Sequence, residues 1–208
     1  IYDEDGELLH EVKMNRDVAK EVLSVCREAE MYLEFFTNKG IYSASSEYFV
    51  EVSVDIMKSA NPNLTEEEIR ANAHLRFQNE PVEFIDDYDL IFEMDDVVIY
   101  KILGFSLKPE KLAGVRASLG KEKELVITSS GDINLEFNHP QAQKGVALKN
   151  LADRLNIPME DIVAVGDNWN DVSMLQAAGK GIAMGNASDE IKQLADGVTK
   201  SNIEDGVA

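Results

Sequence analysis

The chain has 208 residues, 44% of them apolar, and a formal charge of −19, so it can bury one large or two small cores while repelling any polyanion. The charge is uneven: residues 139–208 carry 6 Lys+Arg against 10 Asp+Glu, a net of −4, which leaves −15 for residues 1–138. Lack of a basic face excludes a nucleic-acid partner, and with no signal-peptide pattern and no apolar run near the ~18 residues of a span, the expected setting is the cytoplasm, away from membranes.

The first twelve residues read as a hairpin that turns at Asp5-Gly6 and returns over Leu8–Val12. Residues 13–138 then read as a self-contained α+β domain. Helical spacing runs from Asn15 to about Glu30, and Cys26 falls into it with Val18, Val22 and Val25, which makes the lone cysteine a core thiol. Tyr32–Thr37 and Ile41–Ser43 form a predicted hairpin across Asn38-Lys39-Gly40, and Ser46–Ser59 returns to helix. Thr65-Glu66-Glu67-Glu68 is an N-cap with an acidic first turn, opening a helix toward Asn79. There follow a strand over Val97–Phe105, a helix over Lys108–Leu119, and a second hairpin of Leu125–Ser129 with Asn134–Phe137, turning at Gly131-Asp132. Two such strand-helix-strand passages predict a sheet covered by helices on one side.

Residues 139–208 carry the chemistry. Lys144-Gly145 opens a helix to about Leu155, with Leu148, Leu151, Ala152 and Leu155 at helical spacing and Asn156-Ile157-Pro158 ending it. The apolar run Ile162-Val163-Ala164-Val165 reads as a buried parallel strand, and Gly166-Asp167-Asn168-Trp169-Asn170-Asp171 follows it directly. Ligands of open α/β sheets lie outside the carboxyl ends of such strands, so Asp167 and Asp171 stand where chemistry occurs. Asp171–Ala178 then reads as a helix closed by Gly179, so the aspartates flank a strand-to-helix turn whose free N–H groups favour an anion. Two acids beside such a turn are compatible once a cation joins them, and hard divalent metals such as Mg2+ take carboxylate oxygens while holding substrate phosphates. In a doubly wound fold the start of the 144–155 helix and the end of the 162–165 strand share one side of the sheet, so Lys144 and Asp167 can be neighbours. A solvated Lys144 is the plain alternative.

The remaining motifs point elsewhere or nowhere. Gly179-Lys180-Gly181 with Gly185 follows a helix and brackets the strand Ile182-Ala183-Met184, the wrong order for a dinucleotide cradle. His10, His74 and His139 are scattered with no ligand spacing, which argues against zinc. The sequons at Asn63 and Asn186 read as chance matches.

Lys144-Gly145, Gly166-Asp167-x-x-Asn170-Asp171 and Ala178-Gly179-Lys180-Gly181-Ile182-Ala183-Met184-Gly185-Asn186-Ala187 together resemble the third and fourth motifs of the haloacid dehalogenase superfamily, in particular its Cof-type phosphatases. The resemblance is dense over about residues 136–208 and extends to the closing Ala195–Thr199 and Asp205–Ala208. It implies an α/β protein: a Rossmann-like core, N-terminally truncated, with an inserted α+β cap. On that pattern residues 1–12 are a hairpin remnant of the core, 13–138 the cap and 139–208 the C-terminal part of the core.

The resemblance implies a Mg2+-dependent phosphatase of small phosphorylated metabolites, such as sugar phosphates or phosphorylated cofactors, working through an aspartyl-phosphate. By position Asp167 is then a Mg2+ ligand, Asp171 a second acidic contact to the metal or to Lys144, Lys144 the cation that neutralises nucleophile and phosphate, and Asn170 a phosphate or substrate contact. Asp3-Glu4-Asp5-Gly6 looks like the nucleophile motif, and Phe35-Phe36-Thr37 like the second motif. Both are rejected: two residues before Asp3 are too few for a buried strand, and Glu7 stands where Thr or Val belongs. The nucleophile is expected upstream of Ile1, which would leave residues 1–208 inactive alone. A phosphomutase of the same superfamily and a catalytically inactive binding fragment are the alternatives.

Overall fold

Asn15 begins the first helix of the computed structural model, which describes residues 5–44, 50–51, 54, 64–79, 82–131 and 133–207, without the side chains of 73–79. The Asn15 side chain accepts the Asp17 N–H and starts α1 (Arg16–Glu28), whose Val18, Val22 and Cys26 are buried along one stripe. The chain divides into two units: residues 13–127 with 132–139, and residues 1–12 with 128–131 and 140–208.

The first unit is built on a six-stranded sheet. Its strands are β1 (Tyr32–Thr37), β2 (Gly40–Ser43), β3 (Val82–Phe84), β4 (Ile99–Phe105), β5 (Val126–Thr128) and β6 (Asn134–Asn138), in the order β3-β2-β1-β4-β6-β5. β1 runs antiparallel to β2 and β4, setting Glu34 opposite Ser43 and Leu103, while β3 runs parallel to β2. Leu33 and Phe35 join α1 and Leu112, Val115 and Leu119 of α3 (Pro109–Leu119) in the main core. Alternation turns Tyr32 to the other face, where it packs with Val50, Val54 and Ile69 of α2 (Glu66–Asn79). Helical residues therefore cover both faces around β1, where the periodicity had suggested one.

Thr65 and Glu68 form the capping box of α2: Glu68 Oε2 accepts from the Thr65 N–H at 2.9 Å and hydroxyl at 2.7 Å, and Thr65 Oγ1 accepts the Glu68 N–H at 3.3 Å. Of the helix predicted over Ser46–Ser59, Val50, Glu51 and Val54 are helical and the rest lies outside the described residues. In this unit β3 and a 3-10 turn over Tyr88–Glu93 that buries Ile91 went unread in the sequence, and in the other so did the helix Asp189–Leu194 and the 3-10 turns Pro140–Ala142 and Met159–Asp161.

The second unit holds a parallel sheet, β7 (Val163–Gly166), β8 (Lys180–Ala183) and β9 (Gly197–Val198), in that order. The helices α5 (Val172–Ala177) and α6 (Asp189–Leu194) connect them, and α4 (Lys144–Leu155) precedes β7. This alternation is a Rossmann-like α/β arrangement, with Ala164, Leu175, Ala183 and Ile191 in its core. Asn156 closes α4 in the left-handed conformation at φ 55, just before Pro158. Gly6 turns at φ +82, yet the strand predicted over Leu8–Val12 is reduced to a single bridge at Leu8. Its apolar residues do not alternate, so no single face of that segment can be buried. No described helix is long and apolar enough to cross a membrane.

Candidate active site

β7 ends at Gly166, and the next five residues form a loop held by its own last member. Asp171 is only 5% exposed. Its Oδ2 accepts the backbone N–H of Asp167 at 3.0 Å and of Asn168 at 3.1 Å, and its Oδ1 receives the ammonium of Lys144. The loop N–H groups expected to await an anion are thus taken by Asp171. Burial alone would raise the Asp171 pKa, but the Lys144 ammonium and the two amides outweigh it and hold the carboxyl below its ordinary value.

Two glycines make this geometry possible. A Cβ on Gly166 would lie 2.5 Å from the Cβ of Asp171, so the side chain can fold back only over a residue without one. At the start of α4, the Gly145 N–H donates to Ser173 Oγ at 3.0 Å, which fastens α4 to α5 and brings Lys144, 27 residues away in sequence, onto Asp171.

Asp167 is half-buried and meets only neutral donors. Its Oδ1 accepts from Asn168 Nδ2 at 3.1 Å, and its Oδ2 from Asn186 Nδ2 at 2.8 Å. The Asn170 N–H donates to the Ser129 carbonyl at 3.2 Å, tying the loop to residues 128–131. Trp169 stands exposed between the acids. Lys144, Asp167, Asn170 and Asp171 therefore gather at the carboxyl edge of the parallel sheet, where the Lys144–Asp171 ion pair joins α4 to the loop. Asn186, at the same edge after β8, was read in the sequence only as part of the Ala178–Ala187 motif and was given no role of its own. Asp3 lies outside the described residues.

A parallel βαβα sheet with an acidic loop and a lysine at its carboxyl edge is a Rossmann-like α/β domain with a ligand site at that edge. The profile of the haloacid dehalogenase-like hydrolases matches residues 1–208. Phosphatase YwpJ of Bacillus subtilis is 39% identical over 210 residues, covering all of this chain and 74% of the relative. The 5-amino-6-(5-phospho-D-ribitylamino)uracil phosphatase YwtE of the same organism is 35% identical over 209 residues, covering all of this chain and 73% of that protein. Among solved structures, a haloacid dehalogenase-like hydrolase from B. subtilis superposes with a TM-score of 0.87 at 38% identity, over 99% of this chain and 73% of the other. The subclass IIB sugar phosphatase BT4131 shares the fold, with a TM-score of 0.72 at 18% identity over 98% of this chain and 68% of its own. The chain belongs to the haloacid dehalogenase-like hydrolases, and within them to the Cof-type phosphatases, hydrolases of phosphomonoesters.

Proposed function

We propose that this protein hydrolyses small phosphorylated metabolites with the help of Mg2+, with residues 13–138 as its cap domain and residues 139–208 as the C-terminal part of its core. The observation that carries this reading is the Lys144–Asp171 ion pair set beside the Asp167 carboxylate. Phosphoryl transfer is mostly positioning and charge stabilisation, and a fixed ammonium supplies both.

The donor set fits a hard divalent cation. Asp167 offers carboxylate oxygens that hold only amide donors, each with a lone pair to spare, whereas Asp171 is committed to an ammonium and two N–H groups. Asp167 would hold the metal directly, and Asp171 would serve it from behind by fixing Lys144 and the Asp167 amide. Once bound, Mg2+ supplies charge neutralisation to the phosphoryl oxygens. Among the described residues no three His, Cys, Asp or Glu side chains gather, so further ligands come from elsewhere in the protein or from water and substrate.

Lys144 would carry the developing charge on phosphate and nucleophile, and Asn170 would contact the phosphate. The nucleophile is an aspartate that we assign upstream of Ile1, on a strand beside β7. What supports this is that β7 is the outer strand of its sheet among the described residues, with Val163 61% exposed. The relative named for 5-amino-6-(5-phospho-D-ribitylamino)uracil directs the substrate search toward sugar phosphates and phosphorylated cofactor precursors.

The test is hydrolysis of p-nitrophenyl phosphate and a panel of such metabolites by the full-length enzyme, with and without Mg2+, for wild type and Asp167→Asn. Mg2+-dependent turnover that Asp167→Asn cripples is expected. Unchanged turnover by Asp167→Asn at subsaturating Mg2+ would remove the ligand role.

A further inference from the structure

Asn186 is exposed, yet both ends of its side-chain amide are engaged. Nδ2 donates to Asp167 Oδ2 at 2.8 Å, and Oδ1 accepts the backbone N–H of Asn202 at 3.0 Å. A backbone N–H can only donate, so the carbonyl end of the amide must face Asn202 and the NH2 end must face Asp167.

The Asn202 amide is itself held. Ser201 donates to Glu204 Oε2 through its hydroxyl at 2.5 Å and its N–H at 3.3 Å, while Thr199 Oγ1 donates to the Gly206 carbonyl at 2.6 Å. On the other side, the Gly185 N–H donates to the Lys200 carbonyl at 3.0 Å, and a Cβ on Gly185 would lie 2.7 Å from the Ser201 nitrogen. The turn over residues 199–206 is therefore packed against the 185–186 segment. The other partner of Asp167, Asn168, sits on the same loop and moves with it. Asn186 is the side chain that ties the Asp167 carboxylate to a different part of the sheet.

We propose that Asn186 is a positioning residue that fixes the Asp167 carboxylate in the orientation it needs to meet a divalent cation, with the 199–206 turn as its anchor. This rests on the reading of Asp167 as a Mg2+ ligand. A carboxylate oxygen has two lone pairs, so the Asn186 bond can persist while the metal is held. Hydrogen bonds that orient a ligand from outside the metal shell are worth about 10–100-fold in metal affinity, and an exposed one falls at the lower end.

The experiment is calorimetric titration of the metal-free, full-length protein with Mg2+ in the absence of substrate, for wild type, Asn186→Ala and Asp167→Asn. Asn186→Ala should bind Mg2+ about 10-fold more weakly and recover wild-type kcat on p-nitrophenyl phosphate once Mg2+ saturates. Asp167→Asn should lose the binding altogether; wild-type affinity there would overturn the metal reading itself. Loss in Asp167→Asn with wild-type affinity in Asn186→Ala would overturn the positioning role alone, as would a raised KM with unchanged Mg2+ affinity, the mark of a substrate contact. Asn186→Asp keeps the shape and the acceptor for Asn202 but sets an oxygen against Asp167. Its Tm should therefore rise more on Mg2+ addition than that of wild type, and an equal rise would count against the proposal.

Discussion

Gly145 and Ser173 meet backbone to backbone: besides the N–H to Oγ bond of 3.0 Å, a Cβ on Gly145 would lie 2.3 Å from the Ser173 carbonyl oxygen. No rotamer relieves that overlap, because both sides are main chain. The crossing of α4 over α5 exists only with glycine at this position, and Lys144 reaches Asp171 only through that crossing.

Gly145→Ala should therefore destabilise the protein by about 1–3 kcal/mol, the range for overpacking a close contact, and lower phosphatase activity with it. Gly114→Ala is the matched control. Gly114 lies inside α3 with nothing within 4 Å of its missing Cβ, so alanine there should stabilise by about 0.5–1 kcal/mol through helix propensity. Chemical denaturation of both variants reads the difference. Equal effects would mean that the contact at Ser173 does not govern the crossing.

The Lys144–Asp171 pair is asymmetric, since Asp171 is buried and Lys144 is half exposed. Removing the lysine strands a buried carboxylate on two amide donors. Lys144→Ala and Asp171→Asn should each lower kcat/KM by roughly 100-fold or more, as expected for loss of a charge aimed at the transition state or of the group that aims it. The double variant should be little worse than either single one, because the two act as a unit. Losses that multiply would show that the residues work independently.

The meeting of Lys144 with the Asp167–Asp171 loop was legible because strand-helix alternation puts the start of α4 and the end of β7 on one edge. The apolar runs carried that much. What they could not carry was how Asp171 spends its side chain: the free N–H groups of the strand-to-helix turn read as open to an anion, and the turn of Asp171 back onto the N–H groups of Asp167 and Asn168 depends on the missing Cβ of Gly166. The role of Asn186 stayed hidden for a related reason, since a single amide in a turn has no periodicity and its partners lie 19 and 16 residues away. The same holds for the 3-10 turn at Tyr88–Glu93, which is held by tertiary contacts more than by its own pattern.

Cys26 gives a pH-dependent prediction. Its thiol has no solvent exposure, and burial pushes its pKa up to about 12. An unfolded cysteine titrates near 8.5, so the folded state disfavours the thiolate. The stability this contributes is fully present below about pH 8.5 and is lost as pH climbs toward 12, by up to about 1.4 kcal/mol per pH unit. Native protein at pH 8 should resist a thiol reagent that labels the unfolded chain quickly. Cys26→Ala should show a shallower alkaline fall in stability than wild type; identical slopes, or rapid labelling of the native state, would contradict the buried thiol.

Arg16 is the residue whose loss should loosen the first unit most for its size. Its guanidinium donates from Nη1 to the carbonyls of Met94 and Val97, both at 3.2 Å, and from Nη2 to those of Ile91 at 3.2 Å and Met94 at 3.1 Å. One side chain on the first turn of α1 thus collects three carbonyls from a segment 75 to 81 residues away. That segment carries Ile91 and Phe92 onto the Phe35 side of the core, and Arg16 ties it to α1 there. Arg16→Ala should cost about 1.5–3 kcal/mol, the range for hydrogen bonds to a charged group, and raise hydrogen exchange over residues 88–97 before the rest of the unit. Arg16→Lys should recover only part of the loss, because a single ammonium cannot span carbonyls arranged for a planar fork. Wild-type stability in Arg16→Ala, or exchange that rises uniformly across both units, would show that the 88–97 segment is held without this clamp.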